Sequence, residues 1–105
     1  MSPPTAVANL VYAHELPPAA FGHQRCLSLE GLTVSVGEMV AALRRSCGNE
    51  AAARVEWRRD PAVEAVVATW PGRFESARAR ELGFYADLDF ETIIRSYLKS
   101  AAGDA

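Results

Sequence analysis

The sequence predicts an α+β fold, a small mixed lobe of about four to five helices over a short two- to three-stranded sheet. Three observations lead there. Ser2, Ser35, Asp60 and Asp89 each stand where a helix N-cap is needed. Two five-residue runs alternate with the period of a strand. Helical and extended segments then follow one another as α-β-α-β-(turn)-α-α within 105 residues. That length suits a single domain, residues 1–105, with one modest core.

Ser2 followed by Pro3 opens the first helix, because serine satisfies orphan N–H groups and proline suits the first helical position. Val7, Leu10, Val11 and His14 fall on one face at i, i+3, i+4, i+7, the spacing of a buried stripe. Pro17-Pro18 stops the helix, and Phe21-Gly22-His23 reads as loop. Residues 25–29 put Arg25, Leu27 and Leu29 on one side and Cys26 and Ser28 on the other, as a strand ending at Gly31. Ser35 and Glu38 form an S-x-x-E capping box for the clearest helix. Val36, Met39, Val40 and Leu43 make its buried stripe, Arg44 and Arg45 complement the dipole in its last turn, and Gly48 supplies the left-handed stop.

Residues 54–58 alternate as a second strand. Asp60-Pro61 starts a short helical turn through Glu64, residues 66–70 read as extended chain, and Pro71-Gly72 is a turn. A short helix is expected from Ser76 to Leu82, stopped by Gly83. The last helix begins at Asp89 and turns Phe90, Ile93, Ile94, Tyr97 and Leu98 toward the core.

Half of the residues are hydrophobic and 23% are charged, the composition of a folded globular chain. A net charge of -2 provides no broad basic field, so neither nucleic acid nor an anionic membrane is an expected partner. Cys26 and Cys47 are too few for a disulfide framework and read as reduced, small, apolar side chains. The N-terminus has no basic start or apolar run of a signal peptide, and no stretch approaches the ~18 apolar residues of a membrane span. The expected location is the cytoplasm.

Most catalytic patterns are absent. The seven glycines, at 22, 31, 37, 48, 72, 83 and 103, cannot make G-x-G-x-x-G, and no G-x-x-x-x-G-K-[ST] exists. Tyr12, Tyr85 and Tyr97 each lack a lysine four residues on, so no Tyr-x-x-x-Lys pair is present. His14, His23 and Cys26 are too few to hold zinc, and His14 reads as a core histidine. Cys47 follows Arg44 and Arg45, but a helix C-terminus opposes a thiolate. No catalytic, cofactor-binding or metal residue is expected in this chain.

The segment Ala68 to Ser76 is the most informative. Trp70 and Arg73 bracket the rigid Pro71-Gly72 turn just before a helix. Arginine's planar fork suits a carboxylate or phosphate, and a turn holds it where a ligand can approach. Arg73 can equally pair with Glu75 or with the acidic stretch 87–89, while Trp70 fills core. On the residues alone the structural pairing stands first.

Here the sequence resembles the C-terminal lobe of extended short-chain dehydrogenases, the NAD-dependent epimerase/dehydratase family. Ser2-Pro3 and the helix running on to Pro17 resemble that lobe's first helix. Residues 27–39 resemble its strand, loop and S-x-x-E helix. Trp70 to Phe84 is similar to a W-P-G-R-[FL]-D-x-x-R-A-x-x-L-G-F signature, departing at Glu75, where the family more often has aspartate. Residues 86–94 resemble its closing helix, and the D-erythronate dehydrogenase subgroup is the nearest.

The resemblance implies a substrate-binding lobe without its Rossmann domain, taken from an enzyme that moves a hydride from a hydroxyl carbon of a small sugar acid to NAD. It implies that Arg73 and Trp70 face substrate, with Arg73 on a carboxylate or other anion and Ser2 near the pocket mouth. That raises the ligand reading of Arg73 above the ion pair and leaves Trp70 open. The lobe alone is expected to be inactive and to expose an apolar face, which favours self-association. The other readings are a stand-alone binding module and one half of a split enzyme completed by a Rossmann-domain partner chain.

Overall fold

Residues 1–103 are described by the computed structural model, and every regular element among them is helical. The helices are α1 (Pro3–Glu15), α2 (Val36–Cys47), α3 (Asn49–Ala53), α4 (Pro61–Val67), α5 (Ala77–Glu81) and α6 (Phe90–Ala101), with a 3-10 turn at Pro18–Phe21. The caps that the sequence identifies, Ser2, Ser35, Asp60 and Asp89, all act as caps, and Ser76 joins them. Ser2 Oγ accepts from the Thr5 amide, Ser35 Oγ from Glu38, Asp60 from Ala62 and Val63, Ser76 Oγ from Ala79, and Asp89 from Thr92. Gly48 and Gly83 both take positive φ at helix ends, at 89° and 97°.

The chain divides into two units. One joins Met1–Leu32 to the segment from Glu75 onward, and the other is Thr33–Phe74. In the first, Ala79, Phe84 and Ile94 are buried, and the rings of Tyr12 and Phe84 meet edge to face with centroids 5.0 Å apart. In the second, α2 packs against α3, and Ala42 and Ala52 are buried.

The expected sheet is not formed: no strand occurs among the described residues, so the α+β class is corrected to an all-helical one. The two segments read as strands, 25–29 and 54–58, belong to different units, and neither is a strand. Alternation reports which side each residue faces, and that survives in the first segment for Leu27 and Leu29, half-buried against exposed Cys26 and Ser28, but not for Arg25, which is exposed. A ladder also needs a neighbour to receive its N–H and C=O groups, which alternation does not supply. Residues 66 and 67 are helical rather than extended, because the Asp60 cap nucleates a helix that continues to Val67. The turn of helix at 49–53 was not expected.

The largest surprise is the orientation of α1. Its stripe of Val7, Leu10 and Val11 is 58%, 69% and 51% exposed, and His14 is exposed with it. The buried residues of α1 are Thr5 and Asn9, the latter 1% exposed. Ser2, Thr5, Asn9 and Tyr12 recur at i, i+3, i+7 and i+10 on the opposite face. This polar face wins the interior because the segment 82–87 offers it hydrogen-bond partners. In α2, Val36 is exposed, Met39, Val40 and Leu43 are half-buried, and Ala42 takes the innermost place.

Gly83 sits where the chain leaves α5. A Cβ built there would collide with Tyr12 Oη and lie 3.1 Å from Cζ, at a φ that L side chains rarely adopt. Gly83→Ala is expected to destabilise the chain by at least about 2 kcal/mol, from backbone strain plus clash. Urea denaturation followed by circular dichroism tests this. The loss should shrink in a Tyr12→Phe background, where the nearest clashing atom is gone; equal losses in both backgrounds would leave φ strain as the sole cause.

Candidate functional site

The turn that carries the expected ligand residues lies in the second unit. Asp60 caps α4 with its carboxylate oxygen 3.1 Å from the Ala62 amide, and Arg59 grips Glu64 through two 2.9 Å bonds. After α4 the chain tightens. The Thr69 hydroxyl donates to the Val66 carbonyl at 2.7 Å, and the Trp70 amide donates to Val67 at 2.9 Å. Trp70 therefore leaves the helix in a fixed direction, and the ring of Pro71 locks φ at the next position. The side chain of Trp70 is 64% exposed and Phe74 is 48% exposed, with Arg73 exposed between them. Trp70 does not fill a core.

Ser2 lies in the first unit, apart in the chain division from Trp70 and Arg73. It is 3% exposed. Its amide donates to Asp87 Oδ2 at 2.7 Å, its hydroxyl to Asp87 Oδ1 at 2.6 Å, and the Thr5 hydroxyl joins Oδ1 at 2.7 Å. Burial pushes the Asp87 carboxyl toward a higher pKa, but the Ser2 and Thr5 donors outweigh it and hold the group below its ordinary value. Asp87, one acid of the 87–89 stretch offered from sequence beside Glu75 as a partner for Arg73, has its oxygens engaged by the start of α1.

Asn9 extends the same seam. Its Nδ2 donates to the Tyr85 carbonyl at 2.8 Å, and its Oδ1 accepts from the Tyr85 amide at 3.4 Å. Tyr12 completes it by donating to the Leu82 carbonyl. Sequence reasoning missed this seam, since polar residues at helical spacing usually mark a solvated face.

Beside it, Arg78 spreads its guanidinium over three carbonyls, Phe21 at 2.6 Å, Gln24 at 2.9 Å and Cys26 at 3.2 Å. Glu30 accepts from the Ser76 amide and pairs with Arg80 at 3.1 Å, on the wall of a pocket of about 250 Å³ that Phe84 and Tyr85 also line. These polar groups are all matched among themselves, so they organise the unit. Cys26 and Cys47 are free and exposed, rather than packed as small apolar side chains. Among the described residues no group of three His, Cys, Asp or Glu side chains converges as a metal site, and no helix is long and apolar enough to cross a membrane.

The W-P-G-R-[FL]-D-x-x-R-A-x-x-L-G-F segment divides cleanly. Arg78, Ala79, Leu82, Gly83 and Phe84 clamp, fill or turn the first unit. The stretch from Trp70 to Phe74 is exposed throughout despite two aromatic rings.

No family model matches the chain. Among curated relatives, the D-erythronate dehydrogenase of Cupriavidus necator is 44% identical over 101 residues, 96% of this chain and 31% of its own length. That of Haemophilus influenzae is 30% identical over 98 residues, 93% of this chain and 31% of its own. The crystal structure of the nucleoside-diphosphate-sugar epimerase from Agrobacterium tumefaciens matches with a TM-score of 0.90 at 35% identity, over 99% of this chain and 30% of that one. The chain thus spans less than a third of the length of these proteins.

A carboxyl held below its ordinary value stabilises the fold fully above that value, near 3.9. The stabilisation drains away as pH falls through the lower folded value. The chain is therefore expected to lose urea resistance steeply below about pH 4. Asp87→Asn should cost roughly 2 kcal/mol at neutral pH, because an amide cannot accept from all three donors. The acid-induced loss should be smaller in this variant. An unchanged urea midpoint at pH 7 would remove Asp87 from the centre of the fold.

Proposed function

Along nearly its whole length this chain resembles one stretch of the D-erythronate dehydrogenases and of a nucleoside-diphosphate-sugar epimerase, and from that kinship we propose that it is the substrate-side lobe of an NAD-dependent dehydrogenase or epimerase acting on small sugar acids. The observation that carries the reading is the exposed, rigid turn from Trp70 to Arg73. Burial accounts for Ala79 and Phe84 in the second half of the signature segment but not for Trp70 in the first, which is exposed. An exposed tryptophan beside an arginine on a fixed turn suits a ligand with carbon-bound hydroxyls and a carboxylate.

In this reading Arg73 grips the carboxylate of the sugar acid with its planar fork, and Trp70 lays its ring against the carbon chain. Ser2 acts through the backbone: bound to Asp87, it sets where α1 begins. The residues of this chain do not fit a dinucleotide. The glycine fingerprint is missing from the sequence, and the described residues form no strand–turn–helix that could cradle a pyrophosphate. No Tyr-x-x-x-Lys pair stands ready to move a proton. The lobe's part is to bind and orient, and hydride transfer belongs to a nucleotide-binding portion, in the same polypeptide or in a partner chain. By itself the lobe has no turnover.

The test is a hybrid in which this chain replaces the matching stretch of the Cupriavidus necator enzyme, assayed by NADH formation with D-erythronate. The hybrid should turn over, and the isolated chain with NAD should not. Arg73→Met should raise KM for D-erythronate on the order of 100-fold while shifting the melting temperature only slightly, since the arginine is exposed. Turnover by the isolated chain would sink the reading of an incomplete lobe. An unchanged KM would remove Arg73 from the substrate.

A further inference from the structure

The chain passes between its two units twice, between Leu32 and Thr33 and between Phe74 and Glu75. Glu30 stands just before the first passage. Its carboxylate reaches 46 positions along the chain to accept the Ser76 amide, just after the second. The same oxygen, Oε1, takes Arg80 Nε at 3.1 Å. Ser76 is held a second time, since its hydroxyl oxygen accepts from the Ala79 amide at 3.2 Å and caps α5. The Glu30 side chain is 22% exposed and shares the wall of the pocket of about 250 Å³ with the apolar Leu29, Ala79 and Phe84. With fewer waters to turn to, a half-buried carboxylate holds an N–H more firmly than an exposed one does. All of these groups belong to the first unit.

We infer that Glu30 is a positioning residue for the Trp70–Arg73 turn, fixing the trailing end of the backbone that carries Arg73. The inference rests on the proposed role of Arg73 and adds the group that keeps it in place. The leading end of the turn is fixed by the bonds that close α4, from the Thr69 hydroxyl to Val66 and from the Trp70 amide to Val67. The trailing end runs through Phe74 and Glu75, both exposed, to the Ser76 amide. Only residues 71–75 separate the two anchors. A segment anchored at one end sweeps a wide arc. Anchored at both ends, with a proline fixing one φ between them, it keeps few conformations. Taking away the Glu30 oxygen frees the trailing anchor without touching Arg73. The guanidinium is still present, but its place wanders, and fixed placement is what orients a bound substrate.

Two measurements test this. In the isolated chain, nitrogen-15 relaxation should show Glu30→Ala lowering the amide order parameters of residues 73–76 from about 0.85 to about 0.6 or below, with those of Asn9 and Thr92 unmoved. Glu30→Gln, whose carbonyl can still accept the Ser76 N–H, should stay near the parent chain. Order parameters that do not fall at 73–76 would overturn the inference, whether or not the Cupriavidus necator hybrid turns over. In an active hybrid, Glu30→Ala should raise KM for D-erythronate on the order of 10-fold and leave KM for NAD unchanged. In an Arg73→Met background the same substitution should add nothing. An equal rise in both backgrounds would make Glu30 a scaffold residue alone and overturn the inference. If Glu30→Ala does not fold, Glu30→Met, which keeps the stem and loses the oxygen, is read in the same two ways. Failure of both to fold would also overturn it, since Glu30 would then hold the unit rather than the turn. If Arg73→Met leaves KM untouched while the order parameters at 73–76 still fall, the substrate reading fails and the anchor stands. If Arg73→Met raises KM and Glu30→Ala does not, the anchor fails and the substrate reading stands.

Discussion

A negative charge taken into a protein interior must be met by donors, and in the first unit that requirement ties the rest together. Asp87 is buried and held by two hydroxyls and an amide at the start of α1. The helix's positive end lies at the same place and favours the same charge. Once Ser2 and Thr5 are committed, the register of α1 against the returning chain is set. Asn9 then meets both backbone groups of Tyr85, and Tyr12 meets Leu82. For Tyr12 to come so close, residue 83 must carry no Cβ and must turn through positive φ. That turn delivers Phe84 to the Tyr12 ring as a buried side chain. Each step depends on the one before, and none is an apolar contact until Phe84.

This order of dependence explains why the polar face of α1 points inward. Apolar side chains have no directional preference and accept any dry surface. Hydrogen-bonding groups need particular partners at particular distances. Where the two compete for one interior, the directional groups choose the orientation and the apolar stripe takes the side left over. In this chain that side, with Val7, Leu10 and Val11 on it, is solvent.

The helix caps and glycine stops were legible in the sequence. Every N-cap named from Ser2, Ser35, Asp60 and Asp89 accepts hydrogen bonds as expected, and Gly48 and Gly83 end their helices at positive φ. The resemblance to the dehydrogenases was legible as well, because the signature from Trp70 to Phe84 lies in consecutive residues. Relations between distant segments could not be read. Leu27 and Leu29 keep the sidedness of a strand without a ladder, since no local pattern says whether a neighbour is present. The stripe at 7, 10, 11 and 14 carries the period of a helix but not the identity of the surface that covers it. Asp87 was read only as one acid of a stretch that could meet Arg73, since its partners are 82 and 85 residues away. For the candidate site the same reason holds: the exposure of Trp70 and Arg73 follows from a local turn, whereas the burial of Ser2 depends on the far end of the chain.

The signature segment serves two ends at once. From Arg78 to Phe84 it builds the scaffold, spanning three carbonyls of the 21–26 loop and turning at Gly83. From Trp70 to Arg73 it presents side chains to the outside, held by the hydrogen bonds that close the end of α4. Rigidity is what the proposed role demands. A lobe with neither a hydride acceptor nor a base can raise a reaction rate only by fixing where the substrate lies, and its value falls as the gripping group wanders. An arginine on a proline-glycine turn has less freedom than one on an open loop. Binding strength gathered at the carboxylate can then serve orientation at a carbon elsewhere in the substrate. In the proposed role, such a division would let recognition change by substitution near residue 73 while the scaffold half of the segment, bound to its own unit, stays as it is.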